Sequence, residues 1–488
     1  MRSWWMADSH RNHDSTCQMR DLNPEPIYPL CIACKNGDTA MVDCLLQNGA
    51  DVAFADDSGT PLLFVVERLV EQPNSKESDP IVALLLQHNA VVNVVGPNPF
   101  KRETPLYVAC MKGLAGVVKQ LLDCTADVDL TTSNWNKHPL LIACEKNFRD
   151  IAMMLLKHGA NANVSEDKQT PLKLASEHGD VELVKQLLSC GADVNQMQNI
   201  SDTALHAAVV GCKGLGNEAF VEIVQMLLKS GAKANLRNGK SETPLYLACR
   251  PTDDEVNVDI AQTLLEHGAD PNDVLPPLSA AVSCGNNELV MFLIKFGARL
   301  DRIDDGRTAL HLAIIRQLES TKNDTSTAEI LLSSGADVNV MDRKGNSPLY
   351  LACDSGKTDF VKLLLSHGGS PNTVTTDKHP IHAACRGQHY DSVKLLLEYN
   401  ADVTVPDENG KTALHHALES AFHHSSDSDK ITSLVQLLLD RGANVNAVSK
   451  YEESPFYIVC SKGMISIAKK MLLTAELRWM VTVVRNCL

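Results

Sequence analysis

Residues Lys168 to Asn195 read K-Q-T-P-L-K-L-A-S-E-H-G-D-V-E-L-V-K-Q-L-L-S-C-G-A-D-V-N, and their reading decides the fold. Thr170 is suited to cap a helix through its side-chain oxygen, and Pro171 suits the first helical position, where no N–H bond is lost. Leu172, Leu174 and Ala175 give that helix one apolar face, and Gly179 follows its end. Asp180 is suited to cap a second helix, in which Val181, Val184, Leu187 and Leu188 recur at helical spacing. Gly191 stops it, and Ala192 to Asn195 leads into a polar turn. Helices this short are unstable alone, because nucleation is costly and each has a single stripe to bury. Such a unit requires copies of itself on both sides.

The copies are present. The counterpart of Leu172 recurs as Leu30, Leu62, Leu106, Leu140, Leu205, Leu245, Leu278, Leu310, Leu349, Ile381, Leu414 and Phe456. That gives about thirteen units, with plain intervals of 32 to 34 residues: Leu140 to Leu172 is 32 and Leu172 to Leu205 is 33. Thr308-Ala309-Leu310-His311-Leu312-Ala313 and Thr412-Ala413-Leu414-His415-His416-Ala417 restate the start of the unit. Gly335 to Asn339 and Gly442 to Asn446 restate its close. On these residues the chain resembles the ankyrin-repeat family, over roughly residues 27–473. The resemblance implies an all-α repeat solenoid of stacked helix–turn–helix units with β-hairpin-like finger turns.

The expected organisation is a polar leader over 1–26, read as disordered, a solenoid over 27–473 and an apolar tail over 474–488. Trp4 and Trp5 in the leader have no assigned role. At a packed-helix spacing of roughly 10 Å, thirteen layers would extend on the order of 130 Å. Long intervals point to insertions near 67–80, 211–220, 250–259, 315–327 and 418–432, between the two helices of a layer. The finger is shortened at Asp273 to Pro276. No closing G-A-D-V-N follows Leu473; the tail carries Leu477, Trp479, Met480, Val481, Val483 and Val484 instead. It reads equally as a makeshift cap, a continuation into a further domain or a truncated product.

Composition narrows the function. Apolar residues make up 44% of the chain, enough for a continuous core, while aromatics at 5% are few, which suits thin layers of Leu, Val and Ala. The formal charge of −15, with no Lys/Arg-rich run, argues against nucleic acid as the ligand. Cysteine numbers 15, and Cys34, Cys110, Cys144, Cys249, Cys353, Cys385 and Cys460 share one repeat position. Each is expected to be a small buried side chain, which points to a reducing cytoplasm or nucleus. The N-terminus lacks the apolar core of a signal peptide, and no apolar run reaches membrane-spanning length.

Catalytic and metal motifs do not survive scrutiny. The triplets Gly239-Lys240-Ser241, Gly356-Lys357-Thr358 and Gly410-Lys411-Thr412 lack the glycine a phosphate loop needs, since Ala234, Leu351 and Val405 stand there. His206, His311, His382 and His415 hold one repeat position, where the resemblance implies hydrogen bonds between adjacent turns. His415-His416 with His423-His424, and Cys31 with Cys34, lack zinc-ligand company. No metal, cofactor or enzymatic site is expected.

The expected function is a non-catalytic, monomeric scaffold that binds protein partners on the concave surface of fingers and first helices. The alternative is the substrate-recognition arm of a ubiquitin ligase, or of a larger multidomain signalling protein. Large side chains on polar fingers single out Phe100, Lys101, Arg102 and Trp135, and more sparsely Arg237, Arg343 and Tyr451, as partner-binding candidates. The family resemblance further implies asparaginyl hydroxylation at Asn195, Asn339 and Asn446, which match L-L-x-x-G-A-[DN]-V-N.

Overall fold

A computed structural model of the chain describes residues 29–53, 59–69, 79–95, 103–131, 138–197, 201–212, 217–250, 257–318, 324–372, 378–420 and 428–473. The leader, the tail, the centre of each insertion, and Phe100, Lys101, Arg102 and Trp135 lie outside the described residues. Among the described residues twenty-six helices form thirteen pairs, in two units, 1–166 and 167–488.

The first unit holds four pairs: α1 (Pro29–Asn36) with α2 (Thr39–Gln47), α3 (Pro61–Arg68) with α4 (Pro80–Gln87), α5 (Pro105–Lys112) with α6 (Ala115–Asp123), and α7 (Pro139–Glu145) with α8 (Arg149–Lys157). The second opens with α9 (Pro171–Glu177) and α10 (Val181–Ser189), α11 (Ala204–Gly211) and α12 (Asn217–Lys229), and α13 (Pro244–Cys249) and α14 (Val258–Glu266). It continues with α15 (Pro277–Cys284) and α16 (Asn287–Lys295), α17 (Ala309–Arg316) and α18 (Ser326–Ser333), and α19 (Pro348–Asp354) and α20 (Thr358–Ser366). Its last pairs are α21 (Pro380–Arg386) and α22 (Tyr390–Glu398), α23 (Ala413–Ser420) and α24 (Ser428–Asp440), and α25 (Pro455–Ser461) and α26 (Ile465–Leu473). Within each unit, first helices pack on first helices, as α9 does on α11, and second on second, as α10 does on α12.

The local signals act as their chemistry requires. Thr170 Oγ1 accepts from Lys173 N at 3.2 Å and Asp180 Oδ1 from Leu183 N at 3.1 Å, so both helix starts are capped. The register leucines are buried from Leu30 to Leu414, each adding about 1.5–3 kcal/mol of apolar burial. Phe456, in the last described layer, is only half-buried. In α10 the buried stripe is Leu183, Val184 and Leu187, with Val181 and Leu188 half-buried, so the face lies rotated from the one the valines suggest. Gly113 ends α5 at φ 75°, and a Cβ there would stand 2.9 Å from the Phe148 ring of the next layer. A turn of one layer is thereby covered by a side chain of the next.

Longer segments separate the two helices in the pairs α3–α4, α11–α12, α13–α14, α17–α18 and α23–α24. Arg68 and Asp79 tie the two ends of the first at 3.2 Å. Two of them are partly helical, since α12 and α24 each run to 13 residues against 9 in α10.

The register cysteines 34, 110, 144, 249, 353 and 385 are buried. Burial pushes the Cys34 thiol up to about 12 and raises those of Cys110, Cys249, Cys353 and Cys385 well above the ordinary thiol range, so they remain protonated and inert. Cys460 departs from the expectation and is exposed. Among the described residues no layer follows α25 and α26 to cover it. No described helix is long and apolar enough to cross a membrane.

Candidate protein-binding surface: the finger row

Fingers are turns closed by one side chain at a fixed place. Asp342 Oδ1 accepts from Lys344 N and Asn346 N, both at 2.8 Å, and Asp407 Oδ1 accepts from Asn409 N at 2.9 Å and Lys411 N at 2.7 Å. Asn238 and Ser449 do the same in their fingers. Burial works against ionisation of Asp342 and Asp407, but these N–H groups outweigh it and hold both carboxyls below the usual range. The lysine triplets at 239–241 and 410–412 belong to these turns, which explains their spacing without a phosphate. Asp304 and Arg307 exchange both backbone bonds, at 2.8 and 2.9 Å, the hairpin feature of their finger.

In the second unit, asparagine side chains bond successive fingers. Asn195 Nδ2 donates to Gly231 O at 2.9 Å, and its Oδ1 accepts from Lys233 N at 2.8 Å. Asn235 repeats this with Gly268 O at 3.0 Å and Asp270 N at 2.8 Å, and Asn272 with Gly297 O at 2.9 Å and Arg299 N at 2.7 Å. Asn339 bonds Gly368 O at 3.2 Å and Ser370 N at 2.8 Å, and Asn372 bonds Asn400 O at 3.0 Å and Asp402 N at 2.8 Å. Where Asp301 replaces the asparagine, only the accepted bond survives, from Asp337 N at 2.9 Å. Thr404 turns inward to Asp402 instead. In the first unit Asn93 accepts from Asp127 N at 2.8 Å.

Histidines add a second tie. His206 Nε2 meets Glu242 O at 3.1 Å, and its Nδ1 accepts from Thr203 N at 3.2 Å. The carbonyl partner requires Nε2 to carry the proton, so the ring is neutral with Nδ1 as acceptor. His311 and His415 repeat the arrangement with Asn346 O at 3.0 Å and Glu453 O at 3.2 Å. Burial, ahead of the carbonyl partners that oppose it, holds all three imidazoles below their ordinary range. They tie one finger to the next.

Of the anticipated binding residues, Arg237, Arg343 and Tyr451 are among the described residues, and each contacts a neighbouring finger. Arg237 is half-exposed and forms a two-pronged pair with the buried Asp273 of the next finger, its Nε standing 3.2 Å from Oδ2. Burial disfavours the Asp273 charge, but Arg237, Val274 N–H and Arg302 overcome it and keep the carboxyl low. Arg302 also donates to Asn272 O at 2.6 Å and Val274 O at 2.8 Å, stitching the shortened finger. Arg343 is exposed; its N–H donates to Gly306 O at 2.8 Å and its stem lies against that glycine. Tyr451 is 63% exposed, with Lys411 Nζ 5.5 Å from its ring centre, within cation–π reach. Asn195 and Asn339 are rungs of the ladder, and Asn446 N donates to Asn444 Oδ1 at 2.8 Å. Asn235, Asn272 and Asn372 belong to the same ladder, a signal available in the repeat period itself. Among the described residues no group of three or more His, Cys, Asp or Glu can hold a metal ion.

The repeat sequence is shared with known proteins. A family profile described as "Ankyrin repeats (3 copies)" matches residues 30–165, 106–198, 172–274, 257–323, 319–407 and 370–426, and one described as "Ankyrin repeat" matches 409–450. The chain is 30% identical over 277 residues to "Ankyrin repeat and KH domain-containing protein mask-1" of Caenorhabditis elegans, covering 55% of this chain and 10% of that protein. It is 27% identical over 293 residues to "E3 ubiquitin-protein ligase KEG" of Arabidopsis thaliana, covering 55% and 17%. With "Ankyrin repeat and SOCS box protein 16" of Mus musculus it shares 32% identity over 217 residues, covering 43% and 46%. The chain thus spans less than half the length of each of these relatives. With family profiles matching nearly the whole described array, the chain belongs to the ankyrin-repeat family.

Proposed function

We propose that this chain is a non-catalytic scaffold that holds a partner protein along its fingers and first helices. The observation that carries the reading is the hydrogen-bonded finger row. Rungs from Asn195 to Asn372 fix successive turns, so Arg237 and Arg343 are offered in preset positions with little ordering cost on binding, while the finger of Tyr451 is held by the Lys450 N–H bond to Asn409 O. Phe100, Lys101, Arg102 and Trp135 extend the proposed surface, because aromatic and arginine side chains on polar turns are typical anchors. The scaffold acts as a monomer without nucleic acid, in the cytoplasm or nucleus, where separate buried thiols persist. Hydroxylation of Asn195, Asn339 and Asn446 is proposed as a modification that tunes it.

Affinity purification with mass spectrometry identifies the partner, and the Phe100→Ser/Trp135→Ser double variant then tests the surface. Unchanged melting with at least a tenfold loss of affinity supports it. Retained capture, or lost stability, assigns those rings to bracing.

A second reading is favoured by the similarity to a protein whose name states that it is an E3 ubiquitin-protein ligase. Here the array is the substrate-recognition arm of a ligase, or of a larger multidomain signalling protein. Recovery of ligase adaptors together with the partner supports this reading; a partner recovered without them refutes it.

A further inference from the structure

One seam in the second unit departs from the histidine–threonine pattern of the others. In the layers of α11, α17 and α23, a threonine sits beside Nδ1 of the register histidine: Thr203, Thr308 and Thr412. In the layer of α21 that threonine is replaced by His379. His382 Nε2 still reaches Val405 O at 2.9 Å, but Nδ1 has no hydrogen-bond partner among the described residues, on a side chain only 1% exposed. The His379 ring stands edge-on to His382 with centroids 5.0 Å apart, and His416 of α23 lies 5.0 Å away on a tilted plane. His416 occupies the place of Leu312 in the layer of α17.

The surrounding charges leave little to neutralise three rings. His416 Nε2 meets Asp407 Oδ2 at 3.1 Å, and that carboxylate also closes the 400–412 finger. Arg386 lies near His416 but pairs with Asp354 of α19 at 3.8 Å. Lys411 is taken by Glu419 at 2.7 Å, and Asp402, which faces His379, is held by Thr404. A first proton on His416 finds Asp407. A proton on His382 Nδ1 finds no acceptor and stands beside two further imidazoles. Burial first, then His416 and His379, hold His382 down at about 3, and burial keeps His416 low despite Asp407.

We propose that the seam between the α21–α22 and α23–α24 layers is a pH-sensitive break in the array, closed while these imidazoles are neutral and loosened as pH falls below about 6. The 400–412 finger provides both Val405 O and Asp407, so it is the element released. A protein held across that finger would lose its grip in acid, a consequence that rests on the finger row being the binding surface.

Hydrogen exchange of the full chain at pH 7.5 and 5.5, corrected for intrinsic rates, tests the seam without knowledge of any partner. One unit below an ordinary imidazole, each buried neutral histidine shifts the opening equilibrium by up to about tenfold. The His382–His416 seam is therefore expected to open up to about 100-fold more readily at pH 5.5, against about tenfold at the layers of His206 and His311. The variant His379→Thr/His416→Leu, which installs the residues of the α17 layer, should keep its protection at pH 7.5 and reduce the pH ratio to about tenfold. His416→Leu alone removes one of the two counted imidazoles and should already bring the ratio to about tenfold, which carries the test if the double variant folds poorly. A seam that responds no more than the other layers, or variants that keep the wild-type ratio, would overturn the proposal.

Discussion

Replacing Asn235 by alanine removes one complete rung between two fingers. The amide donates to Gly268 O at 3.0 Å and accepts from Asp270 N at 2.8 Å, bonds that join turns 33 and 35 residues apart. A hydrogen bond of this kind contributes about 0.5–1.5 kcal/mol net, and both lost partners can turn to water because the site is exposed. The pair should therefore cost about 1–2 kcal/mol, a factor of roughly 5–30 in the local opening equilibrium. Asn235→Asp keeps the accepted bond and sets a carboxylate against the Gly268 carbonyl, so it should fall short of wild type as well. Asp301 is a natural instance of that half-rung, bonded only to Asp337 N. Native-state hydrogen exchange at residues 268–276 reads the effect directly, with the 335–347 finger as the internal control. Acceleration below twofold in Asn235→Ala would refute the idea that the ladder fixes the fingers. Equal acceleration throughout the array would instead mean that the substitution acts globally.

Gly113→Ala should destabilise more than Gly159→Ala: both sit at positive φ, 75° and 86°, but only the first would drive a Cβ into Phe148. Conformational strain of about 1–2 kcal/mol is common to both, so the difference in urea midpoint isolates the packing of one layer on the next. Stability should fall as pH drops through the imidazole range. His206, His311 and His415 have folded pKa values below the unfolded 6.5, so the stability they hold is complete above that value and is lost below it. A second decline should begin below about pH 4, where Asp273, Asp342 and Asp407, held low in the fold, take up protons. Chemical denaturation at pH 7.5, 5 and 3.5 measures both steps, and a flat profile between pH 7.5 and 5 would contradict the histidine assignment. Peptide mass spectrometry after incubation with an asparaginyl hydroxylase should find added oxygen at Asn195, Asn339 or Asn446. None at any of the three ends that proposal.

The repeat was legible because its signals are local. Thr170 and Asp180 cap the helices their sequence positions suggest, and the leucine register from Leu30 to Leu414 is buried throughout. What connects layers was harder to read. Asn235, Asn272 and Asn372 tie fingers through backbone groups 25 to 35 residues away, and no local pattern distinguishes such a rung from a polar turn residue. Arg237 reads from the sequence as a residue on an exposed turn, and its pairing with Asp273 of the next finger is a contact that no local pattern announces. Cys460 shares its register with buried cysteines, yet its exposure depends on the neighbouring layer rather than on its own helix. The His382 seam was visible only as a histidine in the threonine position, since the stacking of His416 on it is a contact between layers.

The ladder also bears on how the second unit would respond to mechanical load. Each rung ties one layer to the next, so a force drawing the layers apart passes through the rungs in series and the weakest sets the limit. Asp301 supplies half a rung and Thr404, turned to Asp402, supplies none to the next finger among the described residues. There the fingers keep the Lys450 N–H bond to Asn409 O at 2.8 Å and the His415 tie to Glu453 O. Under tension the array should part first at Thr404, shedding its α25–α26 end while the layers from Asn195 to Asn272 remain joined.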